Sequence, residues 1–168
     1  MKEAILTVLM ALAPHHTDKA LSDAERRAML EPVAEAISDA SRQEIDTAGA
    51  LIALGQHETH YARYILENRC KDGPKGSQCD LDKDGNPRAA GPWQLWATAC
   101  EDRTTLASQA QCAARRLRGE RERCKGRHPA GLWAGAFAGY RSIVCDWAPA
   151  ADRARTMQGV VAKLRRAM

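Results

Sequence analysis

Glu58 is the residue whose type and setting first suggest chemistry. Leu51, Leu54, Ala62 and Ile65 stand at −7, −4, +4 and +7 from it, spacings that share one face of an α-helix, so the carboxyl falls in the middle of an apolar stripe. Burial there disfavours the charged form and leaves the protonated carboxyl that a general acid near neutrality needs. A partly exposed Glu on a helix of shifted phase is the plainer reading. His57-Glu58-Thr59-His60 imitates the zinc signature H-E-x-x-H, but its histidines stand at i and i+3 rather than i and i+4, and no third ligand follows. The pattern therefore calls for no metal and no cofactor.

Two further segments carry polar residues at telling spacings. Asp80-Leu81-Asp82-Lys83-Asp84-Gly85-Asn86 copies the opening of a calcium loop, yet its twelfth position is Gly91 where a bidentate Glu is required, so an Asp- and Gly-rich turn is the better reading. Asp82 and Asp84 become candidates for a second acid if this turn folds over Glu58. Gly91-Pro92-Trp93-Gln94-Leu95-Trp96 follows. Glycine admits close backbone approach, Trp offers a stacking face and Gln an amide fork, a combination suited to sugars. The bland alternative places both tryptophans in the core.

All six cysteines, Cys70, Cys79, Cys100, Cys112, Cys124 and Cys145, follow Glu58, and no C-x-x-C occurs. An even count at loop-sized gaps reads as three disulfides, and the shortest loops come from pairing Cys70 with Cys79, Cys100 with Cys112 and Cys124 with Cys145. That pattern points to an oxidising, extracytoplasmic setting such as the periplasm or cell wall, whether secreted or phage-associated.

These residues need elements to hold them. With 168 residues, 45% hydrophobic and 27% charged, the chain suffices for one domain with a core, and disordered or collagen-like classes are excluded. Aromatic residues amount to 5% and alanine recurs, which favours helices. Residues 4–13 form an apolar run that reads either as a signal peptide or as a first helix, and ten residues are too few to span a bilayer. Ser22-Asp23-Ala24-Glu25 is a capping box that starts the next helix, Pro32 kinks or restarts it, and the longest periodic run extends from Gln43 to Leu66. Residues 68–91 break into a loop or small hairpin, with Asp84-Gly85 as the expected tight turn. Helices are expected again from Pro92, over 104–117, over 130–140 and from 151 onward. The fold class is mainly α, a helical domain with one small β-hairpin between the Glu58 helix and a Gly-Pro-Trp-Gln helix.

Glu58-Thr59, Gly91-Pro92-Trp93-Gln94 and Ala136-Phe137-Ala138-Gly139-Tyr140 together resemble, in order and rough spacing over residues 43–145, the lysozyme-like superfamily in its soluble lytic transglycosylase and goose-type lysozyme branch. Trp93 stands where that family usually has Met, and Arg141 where it has Asn. The resemblance implies an α+β lysozyme-like domain over 43–168, with 1–42 as an N-terminal helical extension packed on it. It further implies cleavage of the β-1,4 bond between N-acetylmuramic acid and N-acetylglucosamine, with Glu58 catalytic and Gly91, Trp93, Gln94 and Tyr140 binding substrate. A lytic transglycosylase is favoured over a hydrolytic muramidase, because no hairpin acid matches the family pattern. The implied partner is the glycan strand of peptidoglycan, met by a monomer without a transmembrane segment.

Two other classes compete. A wall-binding or morphogenetic protein could keep this arrangement without turnover. A nucleic-acid binder would use the basic stretch from Arg115 to Arg127, since residues 61–168 carry 20 Lys and Arg against 11 Asp and Glu, net +9, whereas residues 1–60 carry 5 against 10, net −5. Glu120, Glu122 and Gly119 interrupt that stretch, so nucleic acid is not expected as a partner.

Overall fold

The computed structural model describes residues 1–69, 83–84, 87–96, 98–142 and 144–168. Among them the chain is mainly α, with seven helices and one two-stranded antiparallel hairpin: α1 (Lys2–Met10), α2 (Asp23–Ser41), α3 (Ile45–Thr59), α4 (Arg63–Leu66), β1 (Ala89–Ala90), β2 (Leu95–Trp96), α5 (Leu106–Arg123), α6 (Leu132–Arg141) and α7 (Ala150–Ala167). Ala89 pairs with Trp96 and Ala90 with Leu95.

The apolar run at the N-terminus is a packed helix. Ile5, Leu6, Val8 and Leu9 of α1 are buried in the same core cluster as residues of α2, α3, α5, α6 and α7. The carbonyls left open at the end of α1 are satisfied by Arg26, which donates to the oxygens of Met10 at 2.7 Å, Leu9 at 3.2 Å and Leu12. α2 opens on the expected capping box, with Ser22 and Glu25 bonding each other's backbone, and continues through Pro32. Residues 1–42 thus contribute to the same core cluster as α3. They also cap α4, since buried Asp18 accepts from the Arg63 backbone N–H at 2.8 Å. No described helix is long and apolar enough to cross a membrane.

α3 is the central helix: Leu51, Ile52 and Ala53 are fully buried. The periodic run expected from 43 to 66 is broken, because His60 and Tyr61 both adopt left-handed backbone, φ 51° and 53°. The cause lies in Tyr61. Its ring folds back onto Gly55, where a Cβ would overlap the ring, and its hydroxyl donates to the carbonyls of Leu51 and Ile52 at 3.2 and 3.1 Å. Gly49 plays a comparable part toward α7, since a Cβ there would overlap Val161 and touch Met157. Close approach of α7 to α3 depends on it.

The helix expected from Pro92 does not form. Gly91-Pro92-Trp93-Gln94 is instead the turn of the β1–β2 hairpin, with the Gln94 N–H donating to the Gly91 carbonyl at 3.1 Å. Left-handed backbone at both ends of the turn, φ 68° at Gly91 and 49° at Gln94, is incompatible with a helical start. The following helix opens only at Leu106, on a Thr105/Ser108 capping box. Two of the expected disulfides are present. Cys100–Cys112 ties the segment after the hairpin to α5, and Cys124–Cys145 ties the end of α5 to the segment after α6, with Cα separations of 6.2 and 5.3 Å. Loop closure of this size stabilises by on the order of 3 kcal/mol each. Cys70, Cys79, Asp82 and the Gly85 turn lie outside the described residues.

Two glycines separate close packing from open space. Gly55→Ala is expected to destabilise the fold by about 1–3 kcal/mol through overlap with Tyr61. Gly159→Ala, which meets nothing within 4 Å on α7, is expected to stabilise it by about 0.5–1 kcal/mol. Urea unfolding of both variants checks the pair, and equal shifts would overturn the packing account.

Candidate functional site

Glu58 is the penultimate residue of α3, and its side chain is 7% exposed. Here the helix presents unpaired carbonyls and the negative end of its dipole, so a carboxylate is disfavoured both by desolvation and by the local field. α7 supplies the compensation. Arg153 Nη2 donates to Glu58 Oε1 at 2.7 Å, its own side chain is 11% exposed, and its guanidinium lies 4.8 Å from the Trp147 ring centroid. Arg141, the last residue of α6, places Nη1 at 3.9 Å from Glu58 Oε2. The isolated carboxyl in an apolar stripe is therefore corrected. Glu58 is buried but ion-paired, and the turn at His60 and Tyr61 takes Ala62 and Ile65 off its helix.

Two cavities meet at this carboxylate. One, of about 170 Å³, is lined by Glu58, Trp93, Gln94, Trp96, Thr98, Ala99, Arg116, Tyr140 and Arg141. The other, of about 420 Å³, is lined by His57, Glu58, Ala89, Gln94, Trp96, Arg141 and Arg153. Glu58, Gln94, Trp96 and Arg141 border both.

The hairpin turn is held over α3 by a chain of hydrogen bonds. Trp93 is fully buried and its indole N–H donates to the Leu51 carbonyl at 3.0 Å. Thr59 donates to the Pro92 carbonyl at 3.1 Å, and Tyr140 to the Trp93 carbonyl at 3.1 Å. Gly91 is buried against Gln109, whose amide a Cβ would overlap. Thus Gly91, Trp93 and Tyr140 fix the turn, whereas Gln94 and the 43%-exposed Trp96 present groups to a ligand. Gln94 Nε2 donates to the Gly91 carbonyl at 3.1 Å, which leaves its amide oxygen as an acceptor toward the cavities. Burial pushes the Tyr140 phenol well above its ordinary pKa, against the opposing Arg116 charge, so it remains a donor. Arg116 stacks 4.5 Å from the centroid of that ring.

Asp84 is exposed and borders neither cavity. Asp82 lies outside the described residues. The two histidines beside Glu58 go separate ways: His57 Nε2 meets Thr156 Oγ1 at 2.9 Å and His60 Nδ1 meets Gln56 Nε2 at 3.0 Å. Among the described residues no group of three or more His, Cys, Asp and Glu is placed to hold a metal ion. Desolvation, aided by the Arg153 charge, lowers the His57 pKa.

Sequence reasoning missed Arg153, met Arg116 only in the basic stretch of the nucleic-acid reading, and met Arg141 only as a departure from a motif. Arg153 lies 95 residues from Glu58, so no spacing rule links them. Tryptophan, glutamine and glycine in one hexapeptide did mark a segment of the site, but as a helix start rather than a turn, and not that Trp96 rather than Trp93 is its open face. No protein-family model, curated protein or solved structure matches this chain.

Breaking the ion pair isolates a buried charge. Arg153→Met is expected to lower stability at neutral pH by about 3–5 kcal/mol, and adding Glu58→Gln to recover part of the loss because no unpaired charge then remains. In the single variant the His57 imidazole, titrated by NMR, is expected to move up toward its ordinary pKa of about 6.5. Additive effects of the two substitutions, or an unmoved His57, would contradict the pairing.

Proposed function

We propose that this protein cleaves the β-1,4 bond between N-acetylmuramic acid and N-acetylglucosamine in peptidoglycan outside the cytoplasm, as a lytic transglycosylase with Glu58 as its single acid and base. The observation that carries this reading is the placement of Glu58: a buried carboxyl at the junction of two cavities, flanked by the Gln94 amide and the exposed Trp96 ring. Aromatic faces and amide forks are the groups that bind sugars. Among the described residues Glu58 is the one carboxylate bordering the two cavities, which favours a route needing one acid. The two disulfides suit an oxidising compartment, where the wall polymer is found.

On this route the glycosidic bond occupies the cavities with its leaving oxygen facing Glu58. Arg153 holds Oε1, so Oε2 is the oxygen that carries the proton. That proton passes to the leaving oxygen of N-acetylglucosamine as the bond to C1 of the muramyl residue breaks. The carboxylate formed is stabilised by Arg153 and then accepts the proton of the muramyl 6-hydroxyl as that oxygen bonds to C1. The product is a 1,6-anhydro sugar, water is not consumed, and Glu58 is again protonated.

The 2.7 Å ion pair favours a second reading, a wall-binding or morphogenetic protein without turnover, because Arg153 engages Glu58 Oε1 as the partner in a structural salt bridge would. Mass spectrometry of digested peptidoglycan separates them. The enzyme reading expects anhydro-muramyl products from the wild type and at least a 100-fold loss in Glu58→Gln, the order of a removed general acid. Hydrolysis products would instead identify a muramidase. No products, with retained wall binding, would establish the second reading.

A further inference from the structure

A third cavity adjoins the site between α5 and α6. It is a groove of about 470 Å³ lined by Arg116, Glu120, Arg123, Gly139, Tyr140, Arg141 and Ser142, and it shares Arg116, Tyr140 and Arg141 with the 170 Å³ cavity at Glu58. Three of these residues are cationic and one is acidic. The acid is committed: Glu120 accepts from Arg123 Nε at 2.6 Å and rests against Gly139, where a Cβ would overlap it. Arg116 and Arg141 are left facing the groove.

Neither is neutralised by that wall. Among the described residues no carboxylate stands within 4.0 Å of Arg116. It is nevertheless held in place, stacked on the Tyr140 ring and donating from Nη2 to the Tyr140 carbonyl at 3.2 Å. A guanidinium fixed in plane, with donors unspent, is suited to a bidentate carboxylate. Arg141, 50% exposed in its side chain, reaches Glu58 only at 3.9 Å and so retains most of its hydrogen-bonding capacity.

We propose that Arg116 and Arg141 form a carboxylate-binding subsite adjoining Glu58, which receives an acidic substituent of the glycan and so selects muramyl-containing strands over neutral ones. The subsite rests on the wall-glycan reading and narrows it. Two sources supply the same chemistry: the lactyl carboxylate of a peptide-free muramyl residue, and the carboxylates of a stem peptide. Both would enter the groove while the sugar backbone lies across Trp96 and Gln94.

Calorimetric titration of the full chain carrying Glu58→Gln tests this with three ligands of equal length. They are tetra-N-acetylchitotetraose, the peptide-free alternating N-acetylglucosamine and N-acetylmuramic acid tetrasaccharide, and the same tetrasaccharide with stem peptides. The expected result is at least tenfold tighter binding of an acidic ligand than of chitotetraose, the order of one charge-assisted hydrogen-bonded contact, with the gain abolished by Arg141→Gln. A gain already present in the peptide-free ligand identifies the lactyl group as the source; a gain confined to the third ligand identifies the stem peptide. Arg116→Gln provides the second arm, its folding checked by circular dichroism. Equal affinity for all three ligands, or a gain that survives both substitutions, overturns the subsite and leaves the glycan reading standing. Failure to bind any of them overturns both.

Discussion

A carboxylate buried at the C-terminal end of a central helix is the constraint around which this molecule is arranged. Desolvation and the helix dipole both oppose a charge at Glu58, and only a cation brought in from elsewhere can offset them. Arg153 is that cation, and its delivery requires α7 to lie close along α3. Gly49 allows the approach by leaving room for Val161 and Met157. Cation–π contact with Trp147 then holds the guanidinium against the carboxylate. The packing of one helix pair and the electrostatics of one acid are the same problem.

The other wall of the site is attached to the same helix by its backbone. Carbonyls of Leu51 and Ile52 accept from Trp93 and Tyr61, so the hairpin turn on one side and the chain reversal after His60 on the other are both referenced to α3. Tyr140 completes the frame by bonding the turn from α6. Disulfides from Cys112 within α5 and from Cys124 at its C-terminal cap brace the helix that carries Arg116. The polar groups facing the cavities are thereby mounted on helices and on a turn hydrogen-bonded to them, the condition for aligning them with a sugar chain. The same ion pair ties the carboxylate at one oxygen, Oε1, and so fixes how Glu58 faces the cavities.

Much of the helical pattern was legible because its causes are local. The Ser22 capping box starts α2, and 3.6-residue periodicity and alanine content mark α3, α5, α6 and α7. Two errors share one physical origin. The run through 43–66 looked continuous, and Pro92 looked like a helix start, because in both places a tertiary contact overrides local preference: the Tyr61 ring seated on Gly55, and the Gly91 turn pressed against Gln109.

The amino-acid sequence by itself determined the helical class and the place of Glu58 on an apolar helix, features set by near neighbours, and the shortest-loop pairing anticipated Cys100–Cys112 and Cys124–Cys145. Only the tertiary structure decided what surrounds the acid. Arg153, Arg141 and Arg116 come from three different helices; the first two pair with Glu58 and the third lines the same cavity, across sequence separations that no spacing rule encodes.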